Sequence, residues 1–140
     1  MPKPSPSLPS DADAVFCRLR EILREHSVNG AISVTTDTAT RFCLEAPVGP
    51  ATLAAWRGKR RRATIPVAWV ERGKSDVRYH LMGLADNAGA RASFSPQLKA
   101  RLHGKTCFNF RQPDVRLFAE LESVTADIIA AFRRAGFIAS

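Results

Sequence analysis

The strongest regularity along the chain is helical. Val15, Phe16, Leu19, Ile22, Leu23 and His26 recur at three- and four-residue spacing, the apolar stripe of an amphipathic helix. Ser10 supplies an N-cap, and Asp11 and Asp13 suit the positive end of the helix dipole. Asn29-Gly30 stops the pattern, so the spacing predicts a helix over about residues 11–28. The period then changes to two. Ile32, Val34 and Thr36 alternate with Ser33 and Thr35; beyond a Thr-Asp-Thr turn, Phe42 and Leu44 alternate with Arg41, Cys43 and Glu45. Two short strands in a hairpin fit this alternation.

Pro47, Gly49 and Pro50 break the chain, and Leu53, Ala54 and Trp56 begin a short turn or strand. Residues 63–71, ATIPVAWVE, read as a strand whose Pro66 marks an edge or a bulge. Arg72-Gly73-Lys74 turns the chain, and residues 76–84 form the returning strand, with Val77, Tyr79 and Leu81 inward and Arg78, His80 and Met82 outward. A loop, ADNAGARAS, follows. Ser95-Pro96 opens a short helix that Gly104 ends, with His103 near its C-terminus, and residues 105–112 form the last strand. Pro113-Asp114 starts the final helix, whose stripe is Val115, Phe118, Leu121, Val124, Thr125, Ile128, Ile129 and Phe132.

The expected class is therefore α+β: two layers, with an antiparallel sheet covered on one face by the N- and C-terminal helices. Residues 1–10 read as a disordered Pro/Ser-rich tail and 11–140 as one domain without internal repeats. MPKPSPSLPS has no apolar core, so a secretory signal is not expected, and no apolar run reaches the roughly 20 residues that cross a bilayer. The three cysteines are widely spaced, which disfavours both a disulfide framework and a structural zinc site. The compartment implied is the reducing cytoplasm.

Charge adds a second theme. The chain carries a net +8, but residues 57–116 hold fourteen of the 21 Lys/Arg and four acids, a net of +10 that leaves the flanks at −2. Arg57, Lys59, Arg60, Arg61 and Arg62 fall within six residues, as a phosphate-backbone clamp or as a solvated loop. Gly58 is lone and no strand–GxxxxGK[ST]–helix is present, so this is not a P-loop. By alternation the outer sheet face carries Arg41, Cys43, Arg78, His80, Asn109 and Arg111, a set able to meet an anion or a nucleic acid. Phe42, Tyr79, Phe108 and Phe110 all take the inward phase, while Trp56 and Trp69 have no clear phase.

Catalytic patterns are missing from the sequence: it contains no GxSxG, HExxH or GxGxxG. Glu120 and Glu122 are two apart on a helix and do not share a face. If their strands are neighbours, Cys107 and His80 can pair, and a nucleophilic role would then require a depressed thiol pKa. The other reading makes Cys107 a small inert strand residue.

The segments YHLMGL (79–84), SPQLKARLHGKTCFNF (95–110) and PDVRLFAEL (113–121) together resemble the bacterial YdhG-like family. The resemblance covers most of the chain after residue 11 and is clearest over 76–120. It implies a frataxin-like fold and, through a member described as a frataxin-like iron chaperone, metal delivery. Asp11, Asp13, Glu21 and Glu25 on the first helix would then be the metal ligands. Read from spacing alone, Arg18, Arg20 and Arg24 lie among these acids and make a mixed-charge solvated face. The expectation is a small cytoplasmic binding or chaperone-type module of the YdhG-like class, not an enzyme, without a resident cofactor. Its cargo would be iron or another small ligand. The alternative is an anion or nucleic-acid binder using residues 57–62 with Arg78, His80 and Arg111.

Overall fold

The computed structural model describes residues 10–28 and 31–139; the tail expected over residues 1–10 lies outside them except for Ser10, as does the Asn29-Gly30 stop. The elements are α1 (Asp11–Arg24), β1 (Ser33–Asp37), β2 (Arg41–Pro47), α2 (Pro50–Ala55), β3 (Thr64–Arg72), β4 (Val77–Leu81), α3 (Ala88–Ser93), α4 (Pro96–Lys99), β5 (Leu102–His103), β6 (Cys107–Phe110) and α5 (Val115–Arg134). Single 3-10 stretches follow α1 (Glu25–Val28) and β4 (Met82–Asp86). The six strands form one sheet in the order β1-β2-β3-β4-β6-β5, with every neighbouring pair antiparallel. The architecture is the expected two-layer α+β.

The helices begin where the sequence places caps. Ser10 accepts from the Asp13 amide, and Asp114 accepts from the Leu117 amide. One stripe of α1 (Val15, Phe16, Leu19, Ile22, Leu23) and one of α5 (Leu121, Ile128, Ile129) pack on the inward residues Phe42, Leu44, Val70, Tyr79, Phe108 and Phe110 in a continuous core. Tyr79 is fully buried. Thr125 donates to the Leu121 carbonyl at 2.7 Å, so the Tyr79 phenol donates to Thr125 Oγ1 at 2.6 Å. Each hydroxyl proton thus has an acceptor, as burial requires. Gly83 permits the turn after β4 to touch α5: a Cβ there would lie 2.7 Å from Ile128 Cγ2.

Several expectations give way to local chemistry. The segment read as a loop after residue 84 contains α3, because the Asn87 side chain caps the Ala90 amide and three of its six residues are alanine, the best helix former. The Arg91 guanidinium also donates to the carbonyls of Leu84 and Ala85, tying α3 to the preceding turn. The short helix after Pro96 ends at Lys99. His103 is not at its C-terminus but in β5, because Gly104 (φ +68°) turns the chain tightly back onto β6. β6 stops at Phe110, so Arg111 leaves the sheet. Residues 53–55 are helical, within α2. Val115 is 85% exposed: as the first helical residue it points away, and Leu117 takes its place in the core.

Pro66 marks a bulge, not an edge. Leu44 opposes Ala68 while Glu45 opposes Pro66, so Val67 is the extra residue, and Val67 and Ala68 both turn into the core. The alternation resumes with Trp69 outward, Val70 inward and Glu71 outward.

Candidate functional site

Antiparallel register aligns the outward residues in rows across the sheet. One row runs Cys43, Trp69, His80, Cys107, His103 over β2, β3, β4, β6 and β5. The next runs Arg41, Glu71, Arg78, Asn109. The two long helices lie on the opposite face, where α1 packs on β3 and β4.

The first row is a stack. The Trp69 and His80 rings are nearly parallel, 13° apart with centroids separated by 4.4 Å. The Arg41 guanidinium lies over the Trp69 ring, 5.8 Å from its centre, within cation–π range. Trp69 is the functional candidate that alternation missed, because the bulge at Val67 shifts the phase. One signal was present: Glu71, two residues on, belongs outside, and Trp69 shares its face.

In the second row Glu71 bridges two arginines, pairing with Arg41 and reaching Arg78 at 3.9 Å. All three side chains are about a third to a half exposed, so these pairs hold geometry more than they add stability, at ~0–1 kcal/mol each. Asn109 Oδ1 is buried and, among the described residues, has no hydrogen-bond partner.

Cys107 and His80 are direct cross-strand neighbours. Burial pushes the Cys107 thiol up, with Arg78 pulling the other way, and the thiol donates to the Phe108 carbonyl at 3.8 Å. The buried Cys43 is also pushed up by burial. Burial, then the charges of Arg78 and Arg41, hold the His80 imidazole below its ordinary 6.5. A neutral thiol beside a neutral imidazole is not the depressed thiol that a nucleophile needs.

Burial also lowers His26. The sign for stability follows directly. Below about pH 6.5 the unfolded chain binds protons at these histidines more readily than the folded one, so stability falls as pH drops through that range. The urea midpoint is expected to decline from pH 7 to pH 5, and His80→Gln to reduce the decline. An unchanged decline in the variant would mean that His80 is as basic folded as unfolded.

The chain matches no family model, no curated protein and no solved structure.

The basic segment 57–62 joins α2 to β3. Arg57 (φ +57°) and Gly58 (φ +77°) are both left-handed, and the Gly58 amide donates to Leu53 O at 2.7 Å, so the turn into the segment is tied to α2. Arg57, Lys59, Arg60 and Arg61 are exposed and, among the described residues, have no carboxylate partner; Arg62 reaches Glu45 at 3.4 Å. The segment enters β3 at Thr64, beside the end of the sheet where β4 finishes and β6 begins. Arg111 lies past the other end, with Arg101 and Gln112 around a cleft of about 250 Å³. These cations therefore flank the Trp69–His80 stack lengthwise instead of converging on one point.

The first-helix acids do not converge either. Asp13 pairs with Arg72 at 3.0 Å and Glu21 faces Arg18 at 3.9 Å. Asp11 and Glu25 are fourteen residues apart, about 21 Å along a helix. Among the described residues no group of three or more His, Cys, Asp or Glu could hold a metal ion. The donor set does not fit an iron site, since such cations need several uncompensated oxygens at one place. Among the described residues no helix is long and apolar enough to cross a membrane.

Proposed function

We propose that this chain is a small binding module for polyanions, with nucleic acid as the ligand class. It would bind through the outer sheet face and the basic segment 57–62. One observation carries the reading: a Trp69–His80 stack flanked by Arg41 and Arg78 on the face opposite the two long helices. Aromatic platforms with guanidinium neighbours are the usual means of holding bases and phosphates together. The unpaired cations of segment 57–62 extend the positive surface beyond the sheet. Three free thiols support a reducing compartment such as the cytoplasm. The order helix, antiparallel sheet, helix supports the YdhG-like assignment.

Anisotropy of a labelled single-stranded 20-mer tests the reading. With about six phosphate contacts, log affinity should fall with log salt at a slope near −4, roughly a 300-fold loss between about 50 and 200 mM salt. A flat response, or no binding at low salt, would remove the polyanion reading.

A further inference from the structure

The stack on the outer face is unfinished. Arg41, Trp69 and His80 place one planar group on each of three successive strands. The next strand, β6, offers Cys107 at the same register, and beyond it β5 offers His103. Among the described residues the second face of His80 has no aromatic partner. Strands lie ~4.8 Å apart, so His80 and His103 are about two strand steps, near 10 Å, from each other. Stacked aromatic rings keep centroids about 4.5–7 Å apart, roughly one strand step. A single ring system standing over Cys107 would therefore continue the stack from His80 and meet His103 on its far side.

We infer that Cys107 floors a slot for one unpaired nucleobase, stacked on the face of His80 away from Trp69 and bounded by His103, so that the ligand is single-stranded nucleic acid and not duplex. This rests on the polyanion reading of the same face. A neutral half-buried thiol is a small apolar floor, suited to the C5-methyl edge of a thymine. Arg78, beside His80 on its strand, and the exposed Lys105, two residues before Cys107, supply positive charge for the adjoining phosphates. Duplex bases are stacked on each other and present no free face, whereas each base of a single strand can enter such a slot.

The test uses the full chain with Trp56→Phe, which leaves Trp69 as the emitter, and three probes: a dT 20-mer, an abasic 20-mer of equal charge and a 20-base-pair duplex. Binding of the dT 20-mer should quench Trp69 and exceed that of the abasic strand by about five- to 150-fold, the range for one stacked base. Cys107→Ile, which fills the slot with a good strand former, should bring binding of the dT strand down to that of the abasic strand. His80→Ala should do the same and His80→Phe should restore the excess, so the outcome does not depend on one variant folding. Equal affinity for the dT and abasic strands, with no effect of either substitution, overturns the slot while the polyanion reading stands. Failure of all three probes to bind overturns both.

Discussion

Phe108→Ala is expected to cost about 3–5 kcal/mol of folding stability, a large part of the roughly 5–15 kcal/mol that a domain possesses. Phe108 is fully buried. Its ring meets Phe94 at 5.8 Å, and Tyr79 and Phe110 at 6.4 Å each, so its removal opens a cavity among aromatics that cannot collapse together without moving three elements. The strand that carries it is short: β6 has four residues and its outer neighbour β5 has two, so few ladder hydrogen bonds hold this side of the sheet without the core. The loss reaches the other face as well. Cys107 and Asn109 flank Phe108 in the chain, and their outward positions exist only while Phe108 is inward. Urea unfolding of Phe108→Ala beside Phe108→Leu, which keeps most of the volume and should cost about 1 kcal/mol, measures this. A loss below about 1 kcal/mol for the alanine variant would show that the β4–β6 side of the core is not close-packed.

The parts of this fold that depend on long periodic patterns were legible in the sequence. α1 and α5 follow from their apolar stripes and caps, and the inward phases of Tyr79, Phe108 and Phe110 follow from simple alternation. The parts built from short-range geometry were not. β5 is two residues long and exists because Gly104 reverses the chain; no pattern of two residues can be periodic. α3 depends on the Asn87 cap and the Arg91 tether, which read as loop composition. Val115 fits the helical spacing but sits at the first position, where the stripe has not yet turned toward the core.

The candidate site shows the same division. Arg41, Arg78, His80 and Asn109 were placed outward correctly because their strands alternate cleanly. Trp69 was lost to one inserted residue: the bulge gives β3 two consecutive buried positions, and a period of two cannot be carried across it. Cys43 was also placed on the outer face correctly. It is nevertheless buried, at 1% exposure, which alternation alone does not reveal. That the first-helix acids do not converge was visible on the helix itself, where fourteen residues separate Asp11 from Glu25 and arginines intervene. What no pattern could reveal is the pairing of Glu71 with both Arg41 and Arg78, which joins three strands.

That pairing makes opposite predictions for two sets of charge changes. Replacing Arg57, Lys59, Arg60 and Arg61 together by Gln should reduce the salt slope of single-strand binding by about 3 and weaken binding at about 50 mM salt on the order of 1,000-fold, since four unpaired cations are lost. Arg62→Gln should do less, because Glu45 already offsets its charge. Glu71→Gln works in reverse. It releases Arg41 and Arg78 from their shared carboxylate beside the Trp69–His80 stack, so binding should tighten several-fold and the slope steepen by up to about 1. The accompanying stability change should be small, because half-exposed ion pairs contribute ~0–1 kcal/mol. Solubility alone would make these variants differ in precipitation and not in slope. If the quadruple variant keeps the wild-type slope and Glu71→Gln fails to steepen it, the positive charge of this chain is solvation and not a binding surface. If both slopes move in opposite directions as expected, the outer face and segment 57–62 act on one and the same polyanion.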